Sequence, residues 1–266
     1  MLASGKQLIR ALLNACGLEI HRKQPEGIPR ASMKEVLHQI SSLGFQPQTV
    51  IDVGVAHYTA ALYEAFKDAS ILLIEPLVEF EPSLRKICET YKAQYVLAAA
   101  GESPGTAELN VHTEQLDCSS FLKEAEGPAV DGSPREVAVV TVDQVCLEKK
   151  LKGPYLIKVD VQGAELTVLR GAKQTLEETE VVILEVLLFG TLLGGPQLYD
   201  MVSKMKDWGF VVYDVFGLLY RPLDNALSQM DMVFVREEGQ FRRSHVYATP
   251  EQRKAVASNW ESAYKP

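Results

Sequence analysis

The chain has 266 residues, 47% of them hydrophobic and 23% charged, with a formal net charge of −8. That length fits one α/β domain with extra elements and a sizeable core, and the composition excludes intrinsic disorder. The acidic balance argues against nucleic acid as the main partner, because phosphate binding needs a basic surface.

The four cysteines, Cys16, Cys88, Cys118 and Cys146, are widely spaced and form no CxxC pair. They match neither a zinc framework nor a disulfide scaffold, so free thiols in a reducing cytoplasm are expected. No apolar run approaches the roughly 20 residues that span a bilayer. Asn14 interrupts "ALLNACGL", so no signal-peptide core is read there. A cytoplasmic, non-exported protein without a transmembrane segment is the expectation.

Residues 1–32 read as an appendage. In "KQLIRALLNACGLEI" Leu8, Ile9, Leu12, Leu13 and Cys16 share a helical face, and "HRKQPEGIPR" follows as a basic linker. Such a helix docks on its own core, on a second subunit or on a membrane surface. Oligomeric state is not readable. Residues 241–266 read as a C-terminal tail.

From about residue 33 strand and helix signals alternate. "TVIDVGV" (49–55) is a β-branched strand ending in glycine, and "TAALYEAFKDA" has helical spacing. "SILLIEP" (70–76) is a second strand, "FEPSLRKICETY" a helix with proline in its first turn, and "AQYVLAAAG" (93–101) a third strand. "GTAELNVH" reads as a strand and "SSFLKEAEGPAVDGSP" as a loop, while "REVAVVTVDQV" passes from strand into helix. Then come "YLIKVDV" (155–161), a helix from about Ala164, "VVILEVLLF" (181–189), a helix from about Gln197 to Trp208, "FVVYDVF" and "DMVFVRE". Apolar strands separated by helices predict a seven-stranded, mostly parallel, Rossmann-like sheet with helices on both faces.

Ligands bind such sheets beyond the carboxyl ends of the strands. The residues there are Asp52 and Gly54, Glu75, Ala99 to Gly101, Asp160 and Glu185. Gly54 lets the backbone approach a ligand, and the helix from about Thr59 offers free N–H groups. Glu75 lies 21 residues beyond Gly54, where a carboxylate can accept both ribose hydroxyls. Alternatively Asp52 caps a helix and Glu75 is a solvated strand end.

With "VIDVG", "IEP", "AAAGESPGTAEL", "SSFL", "VVTVDQV", "IKVDVQGAELTVLRGA", "VILEV" and "DMVFVRE" in this order, the chain resembles the FkbM-type S-adenosylmethionine-dependent methyltransferases over residues 49–236. The resemblance implies a class I methyltransferase domain, placed at 33–240, bound S-adenosylmethionine, and O-methylation of a sugar, glycan or secondary metabolite. It implies that Asp52 and Gly54 line the methionine end of the cofactor, that Glu75 holds the ribose, that Ala99 and Ala100 flank the adenine, and that Asp160 stands at the transfer site. The family continues the first glycine as Ala-Asn-x-Gly, whereas this chain reads Val55-Ala56-His57-Tyr58. Tyr58 in place of glycine narrows the approach or covers the methionine end with an aromatic face, to which a sulfonium is attracted.

Lys158 and Asp160 point to one side of their strand, and a Lys158–Glu185 pair with Asp160 beyond it is the expected polar cluster, catalytic or only structural. Asp160, then Glu185, are the candidate bases or acceptor-orienting groups, with His57 behind them. No hard-cation ligand set is seen, so no metal is expected. Glu165 reads as a helix-start residue, Gly163 as the opening of a turn and Gly171 as a close-packing position. Ser119 and Ser120, in the irregular stretch 110–135, are candidates to contact either ligand. Two alternatives carry other functions: a catalytically inactive relative that serves as a scaffold, and an NAD-dependent oxidoreductase, for which "DVGVAHYTA" lacks G-x-G-x-x-G.

Overall fold

The computed structural model describes residues 30–263. The helix expected within residues 1–29, with Cys16, lies outside the described residues. The first described helix, α1 (Met33–Ser42), opens with a capping box: the Ser32 hydroxyl accepts the Glu35 N–H and the Glu35 carboxylate accepts the Ser32 N–H.

Two strand–helix pairs and a third strand follow: β1 (Thr49–Val53), α2 (Ala60–Ala65), β2 (Ser70–Glu75), α3 (Glu81–Thr90) and β3 (Ala93–Leu97). Next come β4 (Ala99–Ala100), β5 (Gly105–Val111), β6 (Ser133–Val140) and α4 (Val142–Glu148). The second half consists of β7 (Tyr155–Val159), α5 (Glu165–Arg170), α6 (Lys173–Glu177), β8 (Thr179–Leu187), α7 (Leu198–Asp207), β9 (Phe210–Tyr220), β10 (Leu227–Arg236) and α8 (Pro250–Ala263).

Seven strands form the main sheet in the order β3-β2-β1-β7-β8-β10-β9. All neighbours from β3 to β8 pair in parallel, and β10 runs antiparallel to both β8 and β9. The order reverses between β1 and β7, which makes their carboxyl ends the switch point where α/β sheets open a crevice. The expected Rossmann-like architecture is therefore present.

Alternation along each strand divides the core. Ile51, Val53, Leu72, Ile74, Ile157 and Val159 pack toward α4, α5, α6 and α7. Val50, Ile71, Leu73, Leu156 and Ile183 pack toward α1, α2 and α3. Every residue of β1 and β7 is buried, the signature of a central strand covered on both faces.

One expectation needs correction. "AQYVLAAAG" is not a single strand: it breaks at Ala98, and Ala99–Ala100 leave the main sheet to pair with Val139 and Val140 of β6. β4, β6 and β5 form a second, three-stranded sheet. Small side chains permit this close passage, and a Cβ on Gly101 would lie 2.8 Å from the Val139 side chain.

Gly171, between α5 and α6, packs against the same passage, and a Cβ there would lie 2.0 Å from the Gly101 carbonyl oxygen. Backbone cannot yield as a flexible side chain can. Gly171→Ala is expected to cost about 3 kcal/mol in urea unfolding, whereas Gly190→Ala, whose Cβ would meet nothing nearer than 3.6 Å, should stay within about 0.5 kcal/mol of wild type.

Candidate functional site

The carboxyl ends of β1, β2, β7 and β8 border a cavity of about 560 Å³. Of the site residues expected from sequence, Gly54, His57, Tyr58, Glu75, Ala99, Ala100, Ser119, Asp160 and Glu185 line it. Asp52 and Ser120 do not. Asp52 is fully buried behind the cavity. The Ser120 hydroxyl is used internally, donating to the Gln162 carbonyl at 2.7 Å and accepting the Leu122 N–H at 2.9 Å.

Glu75 closes β2 and is 4% exposed. Its two oxygens accept the N–H groups of Ala56 at 3.0 Å and Leu77 at 2.9 Å. These bonds fix the plane of the carboxylate and leave acceptor capacity directed into the cavity, since each oxygen carries two lone pairs. Burial raises the pKa of Glu75, against the lowering effect of the backbone donors. Ala99 and Ala100 supply a wall of minimal height beside it.

Gly54 has φ +76°, and a Cβ on it would lie 1.8 Å from the Asp160 carbonyl oxygen. Glycine is therefore required first by the protein's own β7 exit and only then by anything in the cavity. Ala56 occupies the left-handed region at φ +46°, where asparagine is at ease and alanine is not. Tyr58 is held by a 2.9 Å bond between its hydroxyl and that of Tyr91, and by an edge contact with the Tyr63 ring at 5.5 Å. It stands at the cavity wall and leaves the cavity open. The His57 ring packs edge-to-face on Phe80 at 5.0 Å.

The expected Lys158–Glu185 pair is not formed. Lys158 lies directly across from Asp52 in the β1–β7 register, whereas its partner on β8 is Ile183, two residues short of Glu185. The Lys158 ammonium instead sits 3.3 Å from Asp52 Oδ1, 3.3 Å from Asp160 Oδ2 and 3.3 Å from the Gly54 carbonyl oxygen. Burial alone would lower the pKa of Lys158, but Asp52 and Asp160 outweigh it and the net shift is upward. The Tyr63 hydroxyl donates to Asp52 Oδ2 from α2. The result is a buried line, Tyr63–Asp52–Lys158–Asp160, whose last carboxylate faces the cavity.

Glu185 accepts the side-chain amides of Gln162, at 2.8 Å, and Gln229. Burial, then the charges of Asp160, Glu165 and Asp231, push its pKa to about 9. Glu165, 2% exposed, accepts the N–H groups of Val161 and Gly163 and so ties down the turn after β7. Burial takes it to about 7. Asp231, opposite Glu185 in the β8–β10 register, also rises to about 7, through burial and then Asp160. Sequence reasoning missed Gln162, Gln229 and Asp231. Polar residues inside the apolar run "LSQMDMVFV" were a readable signal for the last two. Among the described residues no group of three or more His, Cys, Asp or Glu side chains could hold a metal ion.

Residues 49–212 match the model of the FkbM methyltransferase domain. The chain belongs to this family. The methyl donor of the family is S-adenosylmethionine. No curated protein sequence matches the chain. Among solved structures, the methyltransferase is similar to the 1,6-didemethyltoxoflavin-N1-methyltransferase of Burkholderia thailandensis, with 10% identity, a TM-score of 0.41, and 76% of each chain covered. It is also similar to the magnesium protoporphyrin IX methyltransferase of Synechocystis PCC 6803, with 10% identity, a TM-score of 0.41, and 88% of this chain and 98% of that one covered. A putative RNA methyltransferase from Pyrococcus horikoshii shows 13% identity and a TM-score of 0.42, with 85% and 96% covered. No helix among the described residues is long and apolar enough to cross a membrane.

The buried network makes two predictions. Lys158→Met leaves Asp52 buried without its cation and should cost about 3–5 kcal/mol; adding Asp52→Asn should recover part of that loss in a double-mutant unfolding cycle. The raised carboxylates mean that the folded chain binds more protons than the unfolded one above their ordinary pKa. Their stabilisation is complete below about pH 4 and is lost as pH rises through about 7 for Glu165 and Asp231 and about 9 for Glu185. Stability measured by urea should therefore fall between pH 6 and pH 8, and Glu185→Gln should make that fall shallower by about 1–2 kcal/mol.

Proposed function

We propose that the cavity binds S-adenosylmethionine and that the chain methylates a hydroxyl group on a sugar, glycan or secondary metabolite. S-adenosylmethionine, when bound, supplies an electrophilic methyl group. The residues present fit it. Glu75 offers oriented acceptor capacity for a pair of ribose hydroxyls, Ala99 and Ala100 leave flat room for a base, and Tyr58 presents an aromatic ring to a cation at the methionine end. Asp52 acts from behind by fixing Lys158.

The observation that carries this reading is that Glu75 and Asp160 border one cavity at the switch point of the sheet. A hydroxyl becomes an adequate nucleophile once its proton has an acceptor, an effect worth about 10²–10⁴-fold. Asp160 is placed for that role, its carboxylate oriented by Lys158. Were a methyl group transferred, with its bond to the sulfonium sulfur breaking as the bond to oxygen forms, Asp160 would take up the hydroxyl proton. Glu185, protonated up to about pH 9, donates a hydrogen bond to the acceptor and orients it. His57, packed edge-to-face on Phe80, has no part in this step.

A scaffold reading draws on Ala56 and Tyr58, where the family has asparagine and glycine. Calorimetric titration decides between the two. Wild type should bind S-adenosylmethionine with micromolar affinity, and Glu75→Ala should weaken binding by about 10–100-fold, the loss of charge-assisted hydrogen bonds. A folded wild type that binds no S-adenosylmethionine supports the scaffold, and an unchanged affinity in Glu75→Ala overturns the ribose assignment. Asp160→Asn should retain cofactor affinity and stop the appearance of methylated product, read as a mass gain of one CH2 unit in the host's glycans and metabolites.

A further inference from the structure

Gln162 has a backbone that few side chains adopt willingly: φ is +53°, followed by Gly163 at φ +92°. Three bonds hold this turn. The Ser120 hydroxyl donates to the Gln162 carbonyl at 2.7 Å, and Glu165 accepts the N–H groups of Gly163 at 3.0 Å and Val161 at 3.3 Å. Strained backbone that the surroundings over-determine is a mark of functional sites. What the strain achieves here is the aim of a side chain. Gln162 Nε2 lies 2.8 Å from Glu185 Oε2 and 3.4 Å from Asp160 Oδ1.

We propose that Gln162 is a positioning residue whose amide ties the Asp160 and Glu185 carboxyl groups into one hydrogen-bonded unit and so fixes how both face the acceptor. The proposal rests on reading the cavity as a methyl-transfer site. The charges around the unit support it. Facing Glu185 are Lys158 from β7, Asp160 just beyond it, Glu165 from α5, Asp231 from β10, and the Cys118 thiol from the turn Leu116–Cys118. Asp52 stands behind Lys158 on β1. The single ammonium is engaged by Asp52 and Asp160, and no ion pair within 4.0 Å reaches Glu185 among the described residues. Two like carboxyl groups sharing a site push their proton affinities apart. An amide is the group that can sit between them without adding charge. A carboxylate at position 162 would deepen the repulsion, and a cation would pull both groups into the ionised form.

The test separates backbone from side chain. Asparagine tolerates the left-handed region better than glutamine, so Gln162→Asn preserves the turn while drawing the amide back by one methylene. The full chain, labelled with 13C at glutamate carboxyl carbons and with Glu185 assigned through Glu185→Gln, is titrated by NMR as wild type, Gln162→Asn and Gln162→Glu. Gln162→Asn should leave the thermal midpoint equal or higher and move the Glu185 titration up by about 0.5–1 pH unit, since a donor to the charged form is lost. Gln162→Glu should move it up by more than about one unit through added like charge. A Glu185 titration that stays within about 0.2 unit of wild type in Gln162→Asn overturns the proposal. S-adenosylmethionine affinity, measured in parallel, should change by less than about twofold in both variants, because Glu75 closes β2, two strands away from the turn after β7. Failure of wild type to bind S-adenosylmethionine overturns the methyltransferase reading separately, whatever the titration shows.

Discussion

The fold is arranged around one buried ammonium. Lys158 sits in the middle strand of the sheet, 6% exposed, where a lone cation would be ruinous. It is tolerable because the parallel register between β1 and β7 sets Asp52 directly beside it and the strand's exit brings Asp160 back to it. Tyr63 completes the coordination of Asp52 from the covering helix. This constraint is two-sided. It requires β1 and β7 to be neighbours in that register, and it delivers a carboxylate with a fixed orientation to the mouth of the switch point. Packing and site geometry thus share a cause: a sheet shifted by one residue would strand the ammonium among apolar side chains.

The turns beyond the strands carry the remaining geometry through backbone conformation. Gly54, Ala56, Gln162 and Gly163 all adopt positive φ, and each is held by a partner from another segment or, for Gly163, from the first turn of the helix that follows. The Gly54 backbone lies against the Asp160 carbonyl, the Ala56 N–H is bonded to Glu75, the Gln162 carbonyl to Ser120 and the Gly163 N–H to Glu165. Ala56 is instructive because the family places asparagine there. The conformation persists without the side chain that favours it, which locates the requirement in the backbone bond to Glu75. Tyr58, in place of the family's second glycine, is accommodated by turning its ring against Tyr63 and bonding Tyr91.

Much of this was legible in the sequence because central parallel strands write themselves as unbroken apolar runs. The mostly parallel character of the sheet and the strand-end acids Glu75 and Asp160 follow from those runs and from the cost of burying carboxylates, whereas the strand order and the place of the switch point do not. What was not legible depended on long-range register. Lys158 and Glu185 are both polar residues in adjacent apolar strands, and spacing alone does not say that their levels differ by two residues. The break at Ala98 was hidden because alanine fits a strand, a bend or a short bridge equally well. Gln229 reaches the cavity only because β10 folds back antiparallel beside β8, and Asp52 is withdrawn from it by the same register that pairs it with Lys158.

The charge balance of the cavity follows from these placements. Asp52, Asp160, Glu165, Glu185 and Asp231 gather around one ammonium, and two of the five share its single charge. The others have to be met by protons or by neutral donors. Glu165 takes two backbone N–H groups and Glu185 takes two amides. Neither arrangement offsets burial fully, so both groups, with Asp231, keep a proton well above the ordinary carboxylate range. In the proposed methylation of a hydroxyl one proton is released, and Asp160 stands among carboxyl groups that can share it. The same crowding disfavours an acceptor that brings a phosphate or carboxylate to this end of the cavity, because no free cation faces it among the described lining residues other than Lys158, which is already shared. An uncharged face is what such a floor accommodates.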